Sequence, residues 1–396
     1  MATADPMPGL TAPAERSSGG LLVLLAPMPS EQLDSVLANL TASFSPENLL
    51  IAAPEQLAPD SYPSLQIVPA PSGKTSMTLS AADFANAHQL AEKHSARAIL
   101  MLGPEAGSLT ASAMRDLANA VLATPADLAV PYYRLPSNAG LVNSAILYPL
   151  TRALFASHTR FPLAIDLGLS IRMAERLAHA AQRFTMLNPG EALVWPVNEA
   201  AVAGFALHEV EAGPRALPQP INPDINAVLA QVTGSLFADI ELKAAFWQRA
   251  RRLALARNPA PQASPPSAAA DIASMIETFH LGYSNLQEIW SLVLPPHSLL
   301  GLKRLSIADA AAFSMPENLW ARIVYDFMLA FRLRTINRGH LLGALIPLYL
   351  AWAATHINMI ASGVDPERHV EAVAAAFEAE KPYLVSRWRW PDRFNP

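Results

Sequence analysis

Hydrophobic positions divide the chain into two parts with different periodicities. Between residues 21 and 205, short apolar runs alternate with segments of helical period. The pattern predicts strands at 21–26, 49–53, 65–69, 98–102 and 128–133, and helices at 31–44, 81–94 and 111–123. Strands that alternate with helices predict an α/β domain with a largely parallel sheet. The carboxyl ends of the strands would then share one edge, where open α/β sheets bind ligands.

Beyond residue 205 the pattern is almost entirely helical. Residues 225–256 have the pattern of one long helix with a break near Gly234, and residues 258–268 form a Pro-rich loop. Later breaks are expected at Pro295, Pro296, Pro316 and Gly363. The predicted units are an arm (1–20), an α/β domain (21–205), a helical connection (206–257), a linker (258–270) and an α-helical subdomain (271–396).

Two apolar runs could instead be a secretory signal and a transmembrane helix. Residues 21–28 lack the basic region of a secretory signal before them, which favours a buried first strand. Residues 341–360 approach the length of a bilayer span, but Pro347, His356 and Asn358 interrupt their apolar character. We therefore expect a buried helix, no transmembrane segment and a cytoplasmic protein.

Composition narrows the function classes. The 396 residues are 52% hydrophobic and 15% charged, which excludes a largely disordered chain. A formal net charge of -5 lacks the basic excess that nucleic-acid binding needs. Because the chain has no cysteine, disulfides, thiolate metal sites and cysteine nucleophiles are excluded.

The segment Ser72 to Thr75 is similar to the end of a phosphate-binding P-loop. Lys74 follows a predicted strand, but Val68 stands where the motif has its first glycine. An ordinary polar loop is the alternative, although Lys74 could still contact a nucleotide phosphate. The hydrolase elbow G-x-S-x-G, the metalloprotease pair H-E-x-x-H and the dinucleotide fingerprint G-x-G-x-x-G are absent.

Two carboxylates are the most informative polar residues. Asp166 lies in an apolar stretch, where a carboxylate needs a partner or a shifted pKa. Glu105 follows the strand predicted at 98–102, at the expected ligand-binding edge. A helix cap for Asp166 and simple solvent exposure for Glu105 are the alternatives. The ten histidines are scattered and show no metal-ligand spacing.

The order of several short segments resembles one bacterial enzyme family. An acidic strand end is followed by V-P-x-Y-R, by Y-P-L-T-R-A-L, by a D-x-G-x-S turn and by a histidine before an all-helical end. The matching residues are Val130, Pro131, Tyr133, Arg134, Tyr148, Pro149, Leu150, Thr151, Arg152, Ala153, Leu154, Asp166, Gly168, Ser170 and His208, with further matches at 231–237, 319–327, 347–350 and 380–388. Together they resemble GT-A-fold, family-2-like glycosyltransferases, the group that includes relatives of mannosylglycerate and glucosyl-3-phosphoglycerate synthases.

The resemblance implies a GT-A-like α/β domain with a helical subdomain, and sugar transfer from a nucleoside-diphosphate sugar to a small, anionic acceptor. In this family a D-x-D motif and a later histidine bind Mg2+ or Mn2+ on the donor diphosphate. Those positions correspond here to Gly103, Glu105 and His208. Because one carboxylate is missing, the resemblance predicts that cation binding is weakened or lost.

The resemblance also assigns the remaining roles. Asp166 would orient the acceptor or act as general base, while Pro27, Gly73, Lys74 and Glu105 would bind the donor. The residues assigned to the acceptor are Arg134, Arg152 and Gly168, and structural ion pairs are the alternative for the two arginines. Departures from the family pattern cluster at the donor site. A pseudo-glycosyltransferase that binds without transfer is therefore the second hypothesis, and the oligomeric state is left open.

Overall fold

The computed structural model describes residues 20–54, 62–70, 78–187, 193–218, 225–250, 271–310 and 312–391. The strands in these ranges are β1 (Leu21–Leu25), β2 (Leu49–Ala53), β3 (Gln66–Pro69), β4 (Ala98–Leu102), β5 (Leu128–Arg134), β6 (Asp166–Ser170) and β7 (Leu207–Pro214). The helices of the α/β part are α1 (Ser30–Ser43), α2 (Ala81–Lys93), α3 (Ala111–Leu122), α4 (Tyr148–Phe155), α5 (Ile171–Leu187) and α6 (Pro196–Ala203). They are followed by α7 (Ile225–Leu242), α8 (Ala244–Trp247), α9 (Ile272–Asn285), α10 (Gln287–Val293), α11 (Pro296–Ser306), α12 (Glu317–Leu333), α13 (Arg338–Ala361) and α14 (Pro366–Arg389).

The strands form one mixed sheet in the order β3-β2-β1-β4-β6-β5-β7. The pairs β1–β2, β2–β3, β1–β4 and β5–β7 are parallel, whereas β6 is antiparallel to both β4 and β5. The chain moves outward from β1 to β3 and then returns to place β4 on the other side of β1. This reversal creates a topological switch point between β1 and β4.

Alternating side chains of the central strands supply two cores. On β1, Leu21, Val23 and Leu25 pack on one face with the apolar sides of α1 and α3. Leu22 and Leu24 pack on the other face with α2 and α5. Because both faces are covered, the central strands are apolar throughout, which is why they were recognisable in the sequence.

The predicted α/β domain and helical C-terminal region are confirmed. All five predicted strands and the three predicted helices form, and Leu21–Leu25 is a buried strand as expected. The sequence missed β6 and β7, and the predicted D-x-G-x-S turn is β6 itself. Domain boundaries, the arm and the Pro-rich loop stay predictions, since most of the arm and all of that loop lie outside the described residues.

The helical region encloses a core rich in aromatic side chains. Trp320, Tyr325, Phe327 and Phe331 of α12 are buried in it. The helix α7 continues through Gly234 and ends at Leu242, so the predicted break near Gly234 is wrong.

The helix α13 is the one described helix long and apolar enough to cross a membrane. Its most apolar window is 61% buried inside the protein. Its side chains pack in the core that the helical region builds with α4, as predicted for a buried helix.

Candidate functional site

The carboxyl ends of the parallel strands form one edge of the sheet, which we call the carboxyl edge. At the switch point, the loop after β1 lies beside the loop after β4, and the Ala26 amide donates to the Leu102 carbonyl at 2.9 Å. Pro27 follows directly and is partly exposed. The side-chain amide of Gln32 on α1 donates to the Glu105 carboxylate at 2.6 Å. Two of the predicted donor residues, Pro27 and Glu105, are therefore in adjacent loops at the carboxyl edge.

Asp166 begins β6 at this edge and is completely buried. Its Oδ1 accepts from the Gly103 amide at 3.0 Å, and its Oδ2 accepts from the Tyr133 hydroxyl at 2.7 Å. Arg215, which follows β7, donates to Oδ2 through Nε at 2.9 Å and to Oδ1 through Nη2 at 3.2 Å. The helix-cap alternative for Asp166 is wrong, because this carboxylate belongs to a buried ion pair.

Burial first, and then the charge of Asp166, raise the pKa of the Tyr133 hydroxyl well above its usual value. Tyr133 therefore stays protonated and remains a donor. Burial lowers the pKa of Arg215, but the charge of Asp166 outweighs this effect and the net shift is upward. Both effects keep Tyr133 a hydrogen-bond donor and Arg215 a cation beside the Asp166 carboxylate, whose two oxygens are hydrogen bonded.

A general base must come within hydrogen-bond reach of the proton that it accepts. The buried Asp166 carboxylate is instead enclosed by Gly103, Tyr133 and Arg215. These contacts do not support the predicted catalytic role. They give Asp166 a positioning role, which is to join the ends of β4, β5 and β7.

The residues at the predicted D-x-D positions do not fit a divalent cation. A Cβ atom on Gly103 would lie 2.5 Å from the Ile165 carbonyl oxygen, so that position cannot carry a carboxylate without a backbone shift. Glu105 has a left-handed backbone with φ of 63° and is held by Gln32. Among the described residues, no group of three or more acidic or histidine side chains could hold a metal ion.

His208 does not join Glu105, so the predicted metal pair is wrong. His208 is exposed on β7 and lies in register with Ala129, near the start of β5. Arg134, at the end of β5, is five positions after Ala129, which is about 17 Å along an extended strand. Strand register therefore holds His208 away from the carboxyl edge.

Gly168 is also misassigned as an acceptor residue. It lies within β6, opposite Leu100 on one side and Ala129 on the other. A Cβ atom there would lie 2.4 Å from the Leu117 carbonyl oxygen of α3. The glycine lets α3 approach the sheet closely, and an acceptor has no access to it.

The two predicted acceptor arginines have different surroundings. Arg152 on α4 is ion-paired with Glu371 and Glu378 of α14, so the structural alternative describes its contacts. Arg134 ends β5 at the carboxyl edge and forms an exposed pair with Glu211 of β7. Only Arg134 is in a position to meet a ligand at this edge.

Arg134 lines a cleft between the carboxyl edge and the helical region. This cleft, which we call the interface cleft, is narrow, with a cavity volume of about 20 Å³. Its lining includes Arg160 and Phe161 before β6, His356 of α13 and Glu367 of α14. Arg160 is buried, donates to both carboxylate oxygens of Glu367 at 3.0 Å and keeps Nη1 without a hydrogen-bond partner among the described residues.

Sequence reasoning missed Arg215 and Arg160. The strand β7, which positions Arg215, alternates exposed Glu211 with buried Val210 and Ala212, and this period of two could have revealed it. Arg160 lies in a loop and had no recognisable signal. Gly73 and Lys74, the other predicted donor residues, lie outside the described residues.

The described residues define an α/β protein with an open, mixed sheet and a helical C-terminal region. The sequence matches no protein-family model, and no curated protein is significantly similar to it. Among solved structures, glucosyl-3-phosphoglycerate synthase from Mycobacterium tuberculosis in complex with Mn2+, UDP and glucosyl-3-phosphoglycerate is similar, with a TM-score of 0.38 and 14% identity over 60% of this chain and 86% of that chain.

The same enzyme in complex with Mg2+ and UDP has a TM-score of 0.37 and 14% identity, over 59% of this chain and 84% of that chain. A structure described as a mycobacterial protein has a TM-score of 0.36 and 13% identity, over 60% and 80% of the two chains. TM-scores this low leave the function to be argued from the residues of this chain.

Proposed function

We propose that this protein binds a nucleoside-diphosphate sugar and transfers the sugar to a small, anionic acceptor. The observation that carries the proposal is the topological switch point between β1 and β4. Open α/β sheets bind nucleotides at such a point, outside the carboxyl ends of the strands. The family resemblance assigns the donor to residues of the two loops that meet there, Pro27 and Glu105.

Gly73 and Lys74 complete the proposed donor site. An ammonium group beside the diphosphate would offset its charge, and a glycine would allow close approach of the backbone. The assignment of these two residues rests on the sequence.

In the proposed reaction, the bond between the anomeric carbon and the diphosphate oxygen breaks. The nucleoside diphosphate leaves with the electron pair, and the anomeric carbon forms a bond to an acceptor hydroxyl oxygen. The hydroxyl proton is released in the same transfer. Arg134, which is exposed at the mouth of the interface cleft, would bind the anionic group of the acceptor, since a guanidinium suits carboxylate and phosphate oxygens.

Binding without transfer is the second candidate. One observation favours it, because the Asp166 carboxylate at the carboxyl edge is fully used by protein donors. A pseudo-glycosyltransferase of this kind would bind the donor and would not transfer the sugar.

The decisive experiment incubates purified protein with a panel of nucleoside-diphosphate sugars and with carboxylate or phosphate acceptors. Release of nucleoside diphosphate that depends on the acceptor would support transfer. The melting temperature is measured in parallel, because a ligand that binds the native state raises its stability.

A donor-induced rise in melting temperature without release would favour the second candidate. If the donor causes neither release of nucleoside diphosphate nor a rise in melting temperature, both candidates are refuted. Pro27→Asp is the matched variant, since it adds a negative charge beside the proposed diphosphate at a partly exposed position. It should abolish the donor-induced rise while leaving the melting temperature of the free protein nearly unchanged.

A further inference from the structure

The Arg215 guanidinium is surrounded by oxygen atoms of the protein. We call this group the oxygen cage, and its members are both carboxylate oxygens of Asp166, the carbonyl oxygens of Pro104, Glu105 and Ala216, and the hydroxyl oxygen of Ser108. The side chains of Arg215 and Asp166 are both 0% exposed. All the nitrogen atoms of the guanidinium donate into the cage.

One carboxylate, backbone carbonyls and a hydroxyl are the ligand types that hard divalent cations take in proteins. In this protein those oxygens converge on a guanidinium instead. Nη2 lies 2.6 Å from the Pro104 carbonyl oxygen, and Nη1 lies 2.9 Å from the Ala216 carbonyl oxygen and 3.1 Å from Ser108 Oγ. The cage therefore already contains a cation that belongs to the chain.

Gly103 supplies an independent observation on the same loop. Its Cα faces the Ile165 backbone so closely that an added Cβ would lie 2.5 Å from the carbonyl oxygen and 2.9 Å from the Ile165 Cβ. A second carboxylate cannot be accommodated beside the cage without moving the chain before β6. The loop after β4 is thus shaped for the guanidinium and closed to an additional acidic ligand.

We propose that Arg215 replaces a divalent cation in this protein and holds the loop after β4 in place permanently. Folding places the positive charge of Arg215 inside the oxygen cage. Residues 103–108 are therefore ordered without a metal ion. Because its nitrogen atoms are engaged by the protein, Arg215 is a positioning residue that does not touch a ligand. The proposal about the oxygen cage does not depend on the proposed function. One consequence does rest on the proposed function, namely that a chelator does not weaken donor binding.

The first test uses the wild-type protein and no nucleotide. Binding of Mn2+ is followed by the electron paramagnetic resonance signal of the free ion, and the melting temperature is measured with Mn2+ and with EDTA. We expect no stoichiometric binding and the same melting temperature in both solutions. One-to-one binding of Mn2+ that Glu105→Gln abolishes would overturn the proposal.

The second test removes the internal cation. Arg215→Ala should lower the melting temperature by several degrees, because the buried Asp166 carboxylate loses its partner. Millimolar guanidinium or Mn2+ should then raise the melting temperature of the variant, since either ion can enter the vacated cage. Wild-type protein should show no such rise. Recovery by Mn2+ is the informative result, because guanidinium would refill the cavity left by a merely structural arginine as well.

Arg134→Ala is the matched control. Arg134 pairs with Glu211, and the two side chains are 41% and 54% exposed, so its loss leaves no buried charge without a partner. Neither ion should stabilise that variant. If Arg215→Ala does not fold unaided, its refolding yield with and without Mn2+ gives the same readout. Failure of every cation to restore Arg215→Ala would overturn the proposal.

The two proposals fail separately. Loss of the proposed function would appear as a lack of any donor-induced rise in melting temperature, whereas the cage is tested without donor. If donor binding occurs and EDTA abolishes it, the replacement of the metal by Arg215 is refuted while nucleotide-sugar binding stands.

Discussion

Asp166 and Arg215 form a completely buried ion pair across the end of the sheet, with 2.9 Å between Oδ2 and Nε. The two residues are 49 positions apart in the sequence and lie at the ends of β6 and β7. Each charge is unfavourable in a buried environment by itself, and together with the surrounding donors and acceptors they compensate one another. The pair therefore ties the loop after β4 to the segment after β7.

The first prediction concerns the loss of one member of this pair. Asp166→Ala should lower the free energy of unfolding by about 3–5 kcal/mol, because it leaves a buried guanidinium without its counter-charge. Chemical denaturation with urea measures the change. Arg134→Ala, which breaks an exposed pair with Glu211, should cost no more than about 1 kcal/mol. Equal losses in the two variants would contradict the importance of burial.

The second prediction concerns the contact between α3 and the sheet. Gly168→Ala should destabilise the protein by about 1–3 kcal/mol, because its Cβ would lie 2.4 Å from the Leu117 carbonyl oxygen and force α3 outward. Gly343→Ala is the control, since that glycine of α13 has no atom within 4 Å of an added Cβ. It should be neutral or stabilising, and thermal unfolding of both variants decides the point.

The third prediction is a loss of stability in mild acid. Burial, followed by the charges of His369 and Arg160, lowers the pKa of His356 to about 3. An unfolded histidine takes up a proton near pH 6.5. Stability is therefore present above that pH and is lost as the pH falls toward 3, by about 2 kcal/mol between pH 6.5 and about pH 5.

Unfolding free energies measured across this range test the assignment. His356→Phe should reduce the pH dependence, because it removes one of two buried histidines in contact, His356 and His369, whose pKa values are lowered in the folded protein. His208→Gln alters an exposed histidine and should leave the dependence as in the wild type. An unchanged slope in His356→Phe would refute the explanation.

The fourth prediction concerns acceptor recognition under the proposed function. Arg134→Ala should raise the KM for an anionic acceptor at least several-fold, because a guanidinium beside the interface cleft is lost. Stability should change by less than about 1 kcal/mol, since the Arg134–Glu211 pair is exposed.

Glu211→Ala separates the cation from its ion pair. It frees the Arg134 guanidinium and should leave the acceptor KM unchanged or lower it. If both variants raise the KM equally, the pair itself matters and direct contact of Arg134 with the acceptor is contradicted.

The core strands and the helical C-terminal region were predictable from the sequence for a physical reason. Strands buried on both faces are continuous apolar runs, as in 98–102, and helices that cover them show a period near 3.6. The edge strand β7 was missed because half of its side chains are polar and exposed. Short β6 was missed because Asp166 and Gly168 interrupt its apolar pattern.

The site was predicted less completely than the fold. Glu105 was expected at the carboxyl edge because it follows a predicted strand, whereas Pro27 was assigned to the donor by the family resemblance. The structure places both residues at this edge, and their role in donor binding stays a prediction. His208 was assigned to the same site from its order in the chain, yet strand register holds it elsewhere. Order along a sequence does not specify register.

The sequence by itself determined the five apolar strands and three of the helices that cover them, and that Asp166 needs a partner, since both follow from local hydrophobicity and the cost of burying a charge. Only the tertiary structure decided that this partner is Arg215 and that the Ile165 backbone closes the position of Gly103. Such pairings depend on how strands from distant parts of the chain align, and no local pattern encodes that alignment.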